Sequence, residues 1–199
     1  MRYAEFKEDV ASNILGSIIG KMGGDASAFS GADAPADASG ATSSGGTPGA
    51  GLANFKSQGG QIDPKMIKQY LLSKGLDNNQ AAGLLVNIKW ESHFKPGAYI
   101  HSDNKQGPSG GFFGFHDPKF DGRGNFSDMV RACGGPDKWQ TNWQGQLDQA
   151  LSSGPGRTYA TKKFSTPGEA ASWWVINYEK PADTQGQAVA RARDARQYA

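Results

Sequence analysis

Between Asp25 and Phe55 the chain has no Lys or Arg and is written mainly in Gly, Ala, Ser, Asp, Thr and Pro. This stretch limits what the rest can fold into. A segment so poor in large apolar side chains cannot bury enough surface to offset the entropy lost on ordering. Residues 25–60 are therefore expected to be a disordered, flexible linker. The chain then divides into a short piece, residues 1–24, and a long one, residues 61–199.

The short piece has helical periodicity. Phe6, Val10, Ile14, Ile18 and Met22 recur every four residues, with Leu15 and Ile19 beside them. Glu5, Lys7, Glu8 and Asp9 begin the opposite face. One such helix cannot bury its own stripe. It must pack on its own domain or dock on a partner, and a helix followed by a tether and a domain is the layout of an anchored module. The first residues do not resemble a secretory leader, because Arg2 is followed by Glu5, Glu8 and Asp9 instead of an apolar core. No apolar run approaches the roughly 20 residues that cross a bilayer. The single cysteine, Cys133, excludes an internal disulfide framework and suits synthesis in a reducing cytoplasm.

Residues 61–199 are rich in helix signals and carry 17 Lys+Arg against 13 Asp+Glu. That mild positive balance suits a polyanionic polymer, while no basic stripe with interleaved aromatics points to nucleic acid. Asp63-Pro64 opens a helix over about 64–74, stopped at Gly75. Asp77 with Gln80 forms a capping box for a helix over about 78–92. Thr141 with Gln144 starts a third helix, ending near Ser152. Thr166, Pro167 and Glu169 start a fourth, running to about Glu179, and Thr184 with Gln187 starts the last. From Phe94 to Gly135 the periodicity is lost, and Gly, Pro, Asn and Asp punctuate short aromatic pieces. The expected class is α+β, mostly α: a helical domain with a loop-rich lobe or small β-hairpin, leaving a groove between them.

Within that domain only Glu91, Glu169 and Glu179 are glutamates. Glu169 reads as a capping residue, and Glu179 as a helix-end residue before Lys180-Pro181. Glu91 has no such explanation: it comes late in an apolar helix beside Trp90, where the helix dipole disfavours a carboxylate. A carboxyl set among apolar groups keeps its proton to higher pH, as a general acid near neutrality requires. Asn87 lies one turn earlier on the same face, placed to hold Glu91 or a sugar N-acetyl group. Ser92 can orient Glu91 or close the helix end.

The run Asn87-Ile88-Lys89-Trp90-Glu91-Ser92-His93-Phe94-Lys95-Pro96 resembles the Asn-x-x-x-Glu-Ser-x-Phe-x-Pro motif of the phage tail lysozyme family, a relative of goose-type lysozymes and lytic transglycosylases. Gly110-Gly111-Phe112-Phe113-Gly114-Phe115-His116-Asp117 is similar to its Tyr-Gly-Leu-x-Gln-Trp block, with Phe115-His116 standing where the family has Gln-Trp. Arg123 is placed like an Arg that follows the block, and Tyr178-Glu179-Lys180-Pro181, then Arg191 and Ala195, resemble the family's ending. The likeness covers about residues 64–199. It implies a lysozyme-like fold and cleavage of the MurNAc–GlcNAc β-1,4 bond in peptidoglycan, with the catalytic acid at Glu91. The transglycosylase-type Gly-Leu-Met-Gln sequence is absent, which favours hydrolysis over anhydro-sugar formation.

Glycosidases commonly pair two carboxyls, roughly 6.5–9.5 Å apart when inverting and about 5 Å apart when retaining. Asp103, Asp117 and Asp121 lie in the loop-rich lobe, with Asp103 and Asp117 ranked equally as a second catalytic carboxylate. Asp103-Asn104 and Asp117-Pro118 also read as turns, and a single glutamate with a positioned water is an alternative. Tyr99, Phe112, Phe113, Phe115 and Tyr178 are candidate sugar platforms, whereas Trp90, Trp173 and Trp174 are assigned to the core. His93, His101 and His116 fit no zinc spacing, so neither metal nor cofactor is expected. The expected function is a virion-associated peptidoglycan hydrolase, attached to phage tail or baseplate proteins through residues 1–24, made in the host cytoplasm and acting on periplasmic peptidoglycan. Alternatives are a lytic transglycosylase, an endolysin, and a non-catalytic structural or wall-binding module of the tail.

Overall fold

The computed structural model describes residues 59–199. The helix read at residues 1–24, and the linker up to residue 58, lie outside the described residues.

The first helix, α1 (Pro64–Ser73), starts where Asp63 accepts a hydrogen bond from Lys65 N and Pro64 takes the first turn. The second, α2 (Asn78–Ser92), begins at a complete capping box: Gln80 N donates to the Asp77 carboxylate, and Asp77 N donates to the Gln80 side chain. Residues 80–88 of α2 are all buried, so this helix is the axis of the core and not an amphipathic surface helix. Gly83 permits a close approach of the neighbouring helix. A Cβ there would come within 2.7 Å of Ala170 Cβ, on the helix that packs across it. The Gln80 amide then donates to the carbonyls of Tyr159, Ala160 and Lys162, tying the start of α2 to the C-terminal end of a helix remote in sequence.

The lobe expected to be loop-rich contains a three-stranded antiparallel sheet, β1 (Tyr99–Ile100), β2 (Ser109–Gly110) and β3 (Phe115–His116), in the order β1-β2-β3. Tyr99 pairs with Gly110, and Gly110 with Phe115. A helix not anticipated there, α3 (Asn125–Ala132), follows. Its cap is remote in sequence: Asp117 accepts from Phe126 N at 2.9 Å and Ser127 N at 3.1 Å. Gly124 makes room for this contact, since a Cβ there would lie 2.5 Å from the Asp117 carboxylate.

The remaining helices are α4 (Trp143–Ser152), α5 (Gly154–Thr161), α6 (Pro167–Trp174) and α7 (Thr184–Asp194). The third expected helix starts one residue later than read, with Asn142 and not Thr141 as its cap. The last is capped by Asp183 and not Thr184. The short α5 was also unanticipated, because Ser153-Gly154-Pro155-Gly156 reads as a breaker yet supplies an N-cap serine and a first-turn proline. After Trp174 the chain continues to Glu179 as a π-helical turn, closed by Lys180 N donating to Val175 O at 2.8 Å. Among the described residues these are seven α-helices beside one small sheet, the mostly-α α+β class expected, and no helix is long and apolar enough to cross a membrane.

Candidate active site

Glu91 is the penultimate residue of α2. The helix stops abruptly after it because His93 and Phe94 both take left-handed backbone angles, φ 52° and 60°. The side chain emerges just past the buried stretch 80–88 of this helix, with 27% of its surface exposed. The Gly111–Gly114 turn forms one wall: a Cβ on Gly114, where φ is +57°, would lie 3.2 Å from Glu91 Oε2. That turn is held by α4, whose Gln146 accepts from Phe112 N and donates to the carbonyls of Pro96 and Trp139.

Opposite the turn stands Arg191 of α7, a guanidinium with only 2% of its side chain exposed. Its Nη2 donates to Glu91 Oε1 at 2.5 Å and to Gln187 Oε1 at 2.6 Å. Its Nη1 donates to Asn87 Oδ1 at 2.7 Å and to Glu179 Oε2. One buried cation therefore gathers Asn87 and Glu91 from α2, Glu179 from the π-helical turn and Gln187 from α7. The Glu179 side chain is 6% exposed, and its second oxygen, Oε1, is buried without a hydrogen-bond donor. Burial pushes the Glu179 carboxyl up to about 8, with the neighbouring Glu91 charge adding to the shift and Arg191 opposing it.

Several expectations are corrected. Asp117 is fully buried, and its oxygens are occupied by Phe126 N, Ser127 N and the Ser127 hydroxyl. It is a structural helix cap, and its full burial keeps it from substrate. Phe112, Phe113 and Phe115 are core residues exposing no more than 5% of their surface, so none offers a ring face to a sugar. Asn87 is also fully buried. It donates to Gly83 O and Ala171 O and reaches Glu91 only through Arg191. Ser92, buried, donates to Ile88 O and closes the helix end.

Asp103 sits in the one-turn 3-10 helix Asp103–Lys105 between β1 and β2, and Asp121 accepts from Arg123 N in an exposed turn. Neither joins the Arg191 cluster. Tyr99 is half-buried against Phe126 and Trp139, with its hydroxyl 3.3 Å from His101 Nδ1. Tyr178 stacks on Trp174 with centroids 4.1 Å apart, and burial together with the Glu179 charge raises its phenol.

Two residues beside Glu91 carry no functional signal in the sequence. Glu179 looked like a plain helix end, but the π-helical turn carries it into the cluster. Trp90, assigned to the core, is 41% exposed. Its ring lies 5.6 Å from the Arg191 guanidinium carbon, and its indole N–H donates to Asp194 at 3.3 Å. It is the large exposed aromatic ring next to the acid.

The described residues form a mostly-α α+β domain with a small sheeted lobe, in which the core helix ends at a partly exposed glutamate fixed by a buried arginine. The phage tail lysozyme family matches residues 64–199, and the chain belongs to that family. It is thus a lysozyme-like, peptidoglycan-acting phage tail protein. No curated protein and no solved structure gave a match.

Proposed function

We propose that this chain is a muramidase carried on the virion, which cleaves MurNAc–GlcNAc β-1,4 bonds to open the bacterial wall during infection. The observation that carries the reading is Glu91: an acid at the end of a buried helix, open to solvent on one side and fixed on the other by Arg191. In this reading Glu91 gives a proton to the glycosidic oxygen as the C1–O bond breaks. Trp90 offers a stacking face for a sugar ring beside it. Residues 1–24 are the proposed attachment to tail or baseplate proteins, and residues 25–60 the tether that lets the domain reach the glycan.

One observation favours a second reading. The carboxylate paired with Glu91 is Glu179, buried behind Arg191, and not an aspartate of the sheeted lobe. A lone exposed acid suits a lytic transglycosylase as well as a single-displacement hydrolase. Mass analysis of muropeptides released from purified sacculi separates them. Reducing MurNAc ends support the hydrolase, and 1,6-anhydro ends support the transglycosylase. No release by the folded full-length chain overturns both and leaves a wall-binding tail module.

A further inference from the structure

We infer that Glu179 is the proton store of this site: one proton is shared between Glu179 and Glu91 beside Arg191, and it is this proton that Glu91 delivers to the leaving oxygen. The inference rests on the reading of Glu91 as the acid and extends it to a residue that substrate does not touch.

The geometry points to it in three ways. First, Arg191 is buried and carries one positive charge against two carboxyls. With both ionised the cluster holds a net negative charge that only Glu91 shares with water, and with one proton it is neutral. Second, Glu179 Oε2 takes the Arg191 bond, while Oε1 is buried and faces no donor. An acceptor oxygen left so is unfavourable, whereas a hydroxyl at that position is itself a donor. Third, the two terminal nitrogens of one guanidinium hold the two carboxyls, Nη2 on Glu91 and Nη1 on Glu179, so both acids meet at a single cation.

The charged and titratable groups that face Glu179 are few. Glu91 approaches from α2, Arg191 from α7, and Tyr178 is its neighbour on the turn. The adjacent Lys180 is exposed, with its backbone turned left-handed at φ 51°. Burial and the Glu91 charge, the two largest influences on Glu179, both favour its protonated form.

The cycle balances. Glu179 Oε1–H gives its proton to the Glu91 carboxylate, and Glu91 passes it to the glycosidic oxygen as the C1–O electron pair moves onto that oxygen. Water then adds at C1, and the proton it loses returns to the pair. Glu179 is therefore a positioning residue acting through Glu91, and its signature is a pH profile and not a uniform loss of rate. Interacting carboxyls titrate as a pair, so the profile reports the pair and not either residue alone.

The test is turbidity loss of purified peptidoglycan from pH 4.5 to 9 by the full chain, its Glu179→Gln variant and its Glu91→Gln variant. The amide introduced by Glu179→Gln can still accept from Arg191, but it has no proton to store. Glu179→Gln is expected to act near normally at the acid end. Its alkaline limb should move down by at least about one pH unit, a loss of roughly tenfold or more at pH 8. A folded Glu179→Gln variant whose profile overlays the wild type, or is lowered equally at every pH, overturns the inference. If Glu91→Gln stays active, the reading of Glu91 fails instead. Carboxyl carbon-13 titration of the wild-type chain decides the matter should Glu179→Gln not fold. A glutamate signal still moving above pH 7 supports the store, and completion of every glutamate titration below pH 6 contradicts it.

Discussion

Replacing Arg191 by Met removes the guanidinium while keeping a long side chain in the cavity. In the native cluster Arg191 donates to Asn87, Glu91, Glu179 and Gln187. All four acceptors lose that donor, and Glu179 is left as a buried acid without its cation. Removing one partner of a buried ion pair destabilises by about 3–5 kcal/mol. For a domain of this size that lowers Tm by roughly 10–20 °C. The loss should be largest at pH 8, where Glu179 is partly ionised, and smaller at pH 5, where it is protonated. Differential scanning calorimetry at the two pH values, with denaturant midpoints as a check, measures both effects. A variant melting within a few degrees of wild type at pH 8, or losing equally at both pH values, would refute the view that Arg191 holds two carboxyls together.

Three further outcomes follow from the same contacts. Asp117→Ala leaves Phe126 N and Ser127 N without their buried acceptor, so it should cost about 2–4 kcal/mol in denaturant unfolding while the surviving folded fraction keeps its specific activity; loss of activity at full stability would return Asp117 to the chemistry. Trp90→Ala should raise KM for soluble glycan fragments about 5–50-fold with little change in melting, since the ring is 41% exposed; an unchanged KM removes it from the groove. Wild-type stability should fall between about pH 4.5 and 8, because Glu179, raised from 4.5 to about 8, binds its proton more tightly in the folded state, and that contribution is complete below the lower value and lost as pH rises through the upper; Glu179→Gln should flatten this slope, as thermal melts across the range would report.

Much of the fold is legible because the signals are local. Asp63-Pro64 and the Asp77/Gln80 box sit within four residues of the helices they start, and both helices are found where those residues place them. Helix α3 is not legible, since its cap, Asp117, lies eight residues before its first residue and folds back to it. The same fact explains why Asp117 looked catalytic: an aspartate near a turn carries no local mark of its distant backbone partners. Glu91 stands out by elimination, but elimination misplaces Glu179. A π-helical turn adds a residue and re-aims the side chain, and no periodicity announces it. The paired phenylalanines of the Gly-Phe-Phe-Gly turn resemble platforms by composition, yet they are the sheeted lobe's contribution to the core, and Trp90 is the ring left outside.

The proposed chemistry turns on Glu91 as the acid. The most direct measurement is the initial rate of turbidity loss of purified peptidoglycan by Glu91→Gln, with circular dichroism and melting confirming its fold. The substituted amide keeps an acceptor for Arg191 at the position of Oε1 but has no proton to give. The rate should be lower by about 10²–10⁴-fold or more, with the fold retained. A folded Glu91→Gln variant cleaving at near the wild-type rate would contradict it.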